Sequence, residues 1–213
     1  MRLVAIALGN KAGFLIQANR NKLGIRAADD LIERFSAMQE DAVQEQVASA
    51  LFNKGIALTK LKMLDDADEV FDQLIETYLS NRNSPISQRV VDAMLRRSQN
   101  LNMLQRYPEA ISGIKQILSR FGASLESETQ KTVAKAILLK GDILGALHRH
   151  TEAVDANRDV TRRLRGSKEP FLREIATTAL NGMGFQLLCE AKRKLLTGRT
   201  GQQENCFQKL KEL

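Results

Sequence analysis

The chain has 213 residues, 43% of them hydrophobic and 27% charged, with a net charge of +7; this balance excludes an intrinsically disordered chain, and no stretch approaches the roughly 18 apolar residues of a membrane span. Three prolines, thirteen glycines, no tryptophan and abundant Ala, Leu, Lys, Glu and Gln favour helix, and the lack of alternating β-branched runs excludes a β-rich fold. Two cysteines, Cys189 and Cys206, are too few for a disulfide framework and lack metal-ligand spacing, so they are expected to be reduced thiols of a cytoplasmic protein.

The opening "MRLVAIALGNK" begins like a signal peptide, but Gly9, Asn10 and Lys11 interrupt the apolar run. Its core, "VAIALGNK" at 4–11, returns as "VASALFNK" at 47–54, where no signal could sit. The segment is therefore expected to be a helix, and the spacing of 43 continues down the chain. Ala7, Ala50, Ala93, Ala136 and Ala179 form one column. Leu8, Leu51, Met94, Ile137 and Leu180 form a second, and Leu15, Leu58, Leu101, Leu144 and Leu187 a third. Ala12, Gly55, Ser98, Gly141 and Gly184 stay small, while Phe35, Tyr78, Phe121, Leu164 and Phe207 close each unit with bulk. Five units follow, at about 1–43, 44–86, 87–129, 130–172 and 173–213, in a single repeat domain spanning 1–213.

Within the second unit, Val47, Ala50, Leu51, Gly55 and Leu58 fall three and four apart, the stripe of a first helix, A. A polar turn, "LKMLDDA", leads to a second stripe of Ala67, Phe71, Leu74, Ile75 and Tyr78 on helix B. The third and fourth units repeat the turn as "LQRYPEA" and "LHRHTEA". Asp65, Asp66, Glu109 and Glu152 suit the positive end of helix B, and Pro108 suits its first turn. The longer stretches between units start the next helix A, with Ser84 as a cap ahead of Pro85. Small residues are expected to let the paired helices close up, Gly55 on Ala67, Ser98 on Ala110 and Gly141 on Ala153. The fifth unit departs from the pattern: its helix is expected to end near Leu196, turn at glycine and add a short closing helix. A hairpin of this kind cannot bury its own apolar faces, so the units must stack.

Leu51, Gly55, Leu58, Ala67 and Phe71 stand at the signature spacings of the tetratricopeptide repeat, and the chain resembles that family. Met94, Ser98, Leu101, Ala110 and Ile114 match in the third unit, and Ile137, Gly141, Leu144 and Ala153 in the fourth. The period of 43 exceeds the common 34 and resembles a longer, bacterial variety, with the added residues between helix B and the next helix A. The resemblance implies an all-α, right-handed α-solenoid of five helix-turn-helix repeats. It also implies a protein-binding scaffold with no catalysis and no cofactor.

In such a stack helix A lines the concave face. The expected peptide-binding groove is Phe52, Asn53, Ile56, Leu95, Arg96, Gln99, Leu138, Asp142, Asn181 and Phe185. Five of these are more apolar than a solvated face requires, which marks either a binding surface or side chains covered by the neighbouring repeat or the tail. The terminal-carboxylate site of chaperone-binding members is not expected, because Gly9, Gly13 and Asp92 stand where cations and an amide are needed. His148 and His150 are read as turn residues, without metal-ligand partners.

The charge is uneven. Residues 161–213 hold 11 basic and 5 acidic side chains, against 21 and 20 before them. Arg162, Arg163, Arg165, Lys192, Arg193 and Lys194 thus form a possible anionic-partner patch for a nucleic acid or another acidic partner. The alternative is a solvated face whose cations complement helix ends. Apolar surface on the first helix is expected to self-associate or dock on a partner.

Overall fold

The computed structural model describes residues 1–81 and 83–211, with side chains as far as 196. Among the described residues there are nine helices and no strand: α1 Arg2–Gln17, α2 Asn21–Phe35, α3 Asp41–Lys60, α4 Leu64–Tyr78, α5 Ser84–Met103, α6 Tyr107–Phe121, α7 Ser127–Ala146, α8 His150–Arg163 and α9 Pro170–Lys211. They fall into two compact units, Met1–Val133 and Ala134–Leu213.

In the first unit each helix from α1 to α6 packs on the next, and α1, α3 and α5 also pack side by side. Among the described residues α2, α4 and α6 do not pack on one another, so the A helices form an inner layer and the B helices an outer one. An ion-pair column ties the layers together: Lys54 of α3 meets Asp29 of α2 at 2.6 Å, and Arg97 of α5 meets Asp72 of α4 at 3.0 Å. Both members of the second pair stand one repeat after the first. In the second unit α8 packs on α9.

Every A-to-B turn ends its helix in the same way. Asn19, Lys62, Gln105 and His148 adopt φ of 61°, 64°, 59° and 56°, at a spacing of 43 residues. The Lys62 N–H donates to the Thr59 carbonyl at 3.1 Å and the Met63 N–H to the Leu58 carbonyl at 3.0 Å, a pattern repeated at the other three turns. These two bonds satisfy carbonyls that the ending helix leaves without partners. Helix B then opens with Asp65 and Asp66, Glu109 or Glu152 in its first turn, as charge complementarity requires. Arg106 grips Glu109 through two hydrogen bonds of 2.7 and 2.6 Å, and Arg149 grips Glu152 through bonds of 2.6 and 2.7 Å. The hydrogen bonds from these guanidiniums hold both carboxyls below the usual carboxylate range.

The repeated columns form the core. Ala50, Leu51, Leu58, Phe71, Ala93, Met94, Leu101, Ala136, Ile137 and Leu144 are all buried. Four expectations need correction. The small column meets the residue one turn further along helix B than expected: a Cβ on Gly55 would stand 2.5 Å from the Phe71 ring, and one on Gly141 would stand 3.1 Å from the Asn157 side chain. Ser84 does not cap α5; Asn83 occupies that position without a side-chain cap, while the Ser84 hydroxyl donates to Glu126 at 3.3 Å.

The third correction is the largest. No turn follows Leu196, because α9 continues unbroken from Pro170 to Lys211, so the separate closing helix is not formed. Leu180 and Leu187, whose columns are buried in the second to fourth repeats, are 52% and 51% exposed, and a Cβ on Gly184 would meet nothing within 4 Å. The fourth concerns Leu95, which the sequence left either on the groove or covered by a neighbouring repeat: it is buried, only 6% exposed. The side chains of Cys206 and Phe207, the latter expected to close the fifth unit, lie outside the described residues.

Candidate functional site

The inner layer of the first unit sets out the expected groove residues along α3 and α5. Asn53, Ile56 and Gln99 are half-buried and Arg96 is exposed, its guanidinium donating to Gln99 Oε1 at 3.2 Å. Asn53 lies against Gly13 of α1, where a Cβ would stand 3.6 Å from its amide nitrogen. Phe52 is used internally: its ring is 6.1 Å from that of Phe71, and the Arg89 guanidinium covers it at 5.3 Å. With Leu95 buried as well, two of the apolar side chains expected at the surface hold the repeats together instead.

Beside these residues lies a polar network that composition did not reveal. Asp92 Oδ1 accepts hydrogen bonds from Thr132 Oγ1 at 2.8 Å and Gln88 Nε2 at 3.0 Å, and Thr129 Oγ1 donates to Gln88 Oε1 at 2.8 Å. Burial pushes the Asp92 carboxyl above the usual range, against the pull of the Thr132 and Gln88 hydrogen bonds. Asn100, 1% exposed, donates to Thr59 Oγ1 at 2.9 Å. These bonds join successive A helices and leave little freedom in the layer.

In the second unit Leu138 is half-buried on α7, while Asp142 on α7 and Asn181 and Phe185 on α9 are exposed, Phe185 by 63%. Between α7, α8 and α9 the Gln186 side chain presses on Gly145 and meets His150 Nδ1 at 2.7 Å. His150 is thus a packing residue and His148 the left-handed turn residue. Among the described residues no group of three His, Cys, Asp or Glu could hold a metal ion, and no helix is long and apolar enough to cross a membrane.

Arg162, Arg163 and Arg165, expected to form an anionic-partner patch, stand at the end of α8 and just beyond it. Arg162 and Arg163 share Asp159, at 2.5 and 2.9 Å; burial works to raise the Asp159 carboxyl, but the two guanidiniums override it and hold it low. Arg162 and Arg165 line a groove of about 650 Å³ between α8 and α9, together with Arg158 and Arg173, which the sequence reading missed. Arg158 and Arg173 lie outside the basic run; Arg158 stands one helical turn before Arg162 on α8, and the approach of α9 to α8 brings Arg173 beside them. Lys192, Arg193 and Lys194 are exposed further along α9, with Lys194 paired to Glu190 at 3.0 Å.

Residues 49–78, covering most of α3 and all of α4, match the tetratricopeptide repeat family profile. α3 begins at Asp41, about two turns ahead of the matched segment. A crystal structure described as that of an engineered protein shares the fold, with a TM-score of 0.51 and 19% identity over 87% of this chain and 73% of the other. No curated protein sequence matches the chain.

Proposed function

We propose that this chain of tetratricopeptide-like helical repeats is a non-catalytic scaffold that recruits another protein by holding a peptide or helix on its layer of A helices. Tetratricopeptide repeats mediate protein–protein interaction, and the signature residues Gly55, Leu58, Ala67 and Phe71 serve packing, which leaves recognition to the residues between them. The observation that carries the reading is the side-by-side inner layer of α1, α3 and α5, braced by buried polar bonds, with Asn53, Ile56, Arg96 and Gln99 along it. Such a surface is ordered before the ligand arrives, so the ligand alone loses entropy. Ligand contacts in the first unit come from these four side chains; those in the second come from Leu138, Asp142, Asn181 and Phe185. Phe52 and Leu95 support the surface from beneath.

In this reading the chain is one array of five 43-residue units over 1–213, right-handed and of the longer bacterial type, working in the cytoplasm without a cofactor. The test is affinity capture from cell lysate with nuclease present, comparing wild type with Arg96→Glu/Phe185→Asp. Both side chains are exposed, so the fold is expected to survive. Loss of a specific captured protein is the expected result; undiminished capture would count against the inner layer as the binding surface. A second reading, an acidic partner or nucleic acid at the basic C-terminal end, is favoured by the arginine-lined groove on α8 and α9.

A further inference from the structure

The groove on the second unit has a counterpart in the first. There a cavity of about 370 Å³ is walled by Asp72 and Glu76 of α4, Met94 and Arg97 of α5, and Glu109 and Gly113 of α6. Two repeat lengths further on, Asp72, Glu76, Met94 and Arg97 become Arg158, Arg162, Leu180 and Met183, all lining the groove of α8 and α9. The two sites thus stand at corresponding places in the repeat and differ in their third wall. In the first unit a helix B, α6, closes the third wall. In the second that wall is missing, because α9 runs on where a turn and a fifth helix B would stand. The surface that such a helix would cover is open: Leu180 and Leu187 are half exposed and Gly184 meets nothing within 4 Å.

The charge of the socket says what can fill it. Its lining holds four arginines and no carboxylate, where the equivalent wall of the first unit is acidic. Arg158 and Arg162 are partly neutralised by Asp155 at 2.6 Å and Asp159 at 2.5 Å, while Arg165 and Arg173 have no ion pair among the described residues. The chain's own segment in the register of a fifth helix B, 193–207, carries Arg193, Lys194 and Arg199 against the single acid Glu204. Folded back, it would bring like charge to like charge. We infer that this socket is a docking site for an amphipathic helix of a partner protein. That helix seats an apolar stripe on Leu180, Met183 and Leu187 and places acidic side chains against Arg158, Arg162, Arg165 and Arg173. An apolar floor of this kind fits a helix stripe better than a phosphate backbone, which needs cations alone.

The chain itself supplies a probe of this chemistry. The α4 sequence, LDDADEVFDQLIETY, is a helix B with six acidic residues, no basic ones, and a stripe that packs on a helix A. A synthetic, end-blocked, fluorescently labelled 64–78 peptide is titrated with the full chain, and in parallel labelled mixed RNA and DNA is titrated. The proteins are wild type, Arg165→Glu/Arg173→Glu and Leu180→Gln, each checked for native helicity by circular dichroism. Saturable peptide binding, weakened about tenfold or more by either variant, is the expected result. A peptide in which Asn and Gln replace the acids is expected to bind about tenfold more weakly. The inference is overturned if wild type does not bind the acidic peptide, or if neither variant changes its binding. It is equally overturned if nucleic acid binds in its place, sensitive to the arginine variant and indifferent to Leu180→Gln. The inference stands apart from the inner-layer reading, and Arg96→Glu, on the first unit, is expected to leave peptide binding unchanged.

Discussion

The Phe71 ring lies so close over Gly55 that a methyl group on Gly55 would sit 2.5 Å from its edge. Helix A and helix B of the second repeat are held at this separation by the absence of a side chain. Gly55→Ala gains helix propensity but must displace an aromatic ring that is fully buried. Overpacking of this kind is expected to destabilise by about 1–3 kcal/mol. Gly184, in the same column of the fifth repeat, has open space around it, so Gly184→Ala is expected to stabilise by about 0.5–1 kcal/mol. Urea denaturation of both variants checks the pair, and equal effects would mean that α9 is covered after all.

The left-handed residue of each hairpin is not a glycine. Lys62 and Gln105 hold positive φ at a steric penalty that glycine avoids, while Asn19 tolerates the region better. Lys62→Gly and Gln105→Gly are each expected to stabilise by about 0.5–1 kcal/mol, with a smaller gain for Asn19→Gly. Denaturation midpoints measure this directly; a loss at Lys62 and Gln105 would show that their side chains contribute more than their backbone strain removes.

Asp92 makes stability depend on pH in an unusual direction. Its raised carboxyl means that the folded chain holds this proton to higher pH than the unfolded chain does. Between the ordinary carboxylate value and the raised one, this group's contribution to stability therefore falls as pH rises. Asp92→Asn retains an oxygen to accept from Thr132 and Gln88 and removes the buried charge. The expected outcome is a higher Tm at neutral pH and a flatter pH profile through the mildly acidic range, by calorimetry. A lower Tm at neutral pH would assign the charge a structural use.

In the first unit, Leu3 and Phe14 are 80% and 71% exposed on α1. One and two repeats after Phe14, Ala57 and Asn100 are buried, and Asn100 bonds across to the preceding helix A. Phe14 therefore faces the side on which another repeat would sit, and we propose that this edge self-associates. Light scattering at high concentration is expected to give a mass above the 23.8 kDa monomer. Leu3→Glu/Phe14→Glu is expected to restore the monomer, and a wild-type monomer at every concentration would sink the idea.

The helices of the first four repeats, their order and the turns at Asn19, Lys62, Gln105 and His148 were legible in the residues alone. Hydrophobic spacing decides which helix face is buried, and the same columns recur at Leu51, Met94 and Ile137. Tertiary packing decided what lies opposite each column. Gly55 meets Phe71 rather than Ala67, and Phe52 and Leu95 are taken up within the stack, because the offset between two helices depends on how their side chains interlock. The sequence also could not reveal that α9 keeps going. Local propensity allows a turn after Leu196, and whether one forms depends on what the folded-back segment would meet. It would meet Arg158 and Arg162 of α8 and Arg165 just beyond it, joined by Arg173 of α9 itself, a cation that comes beside the other three only when those two helices pack.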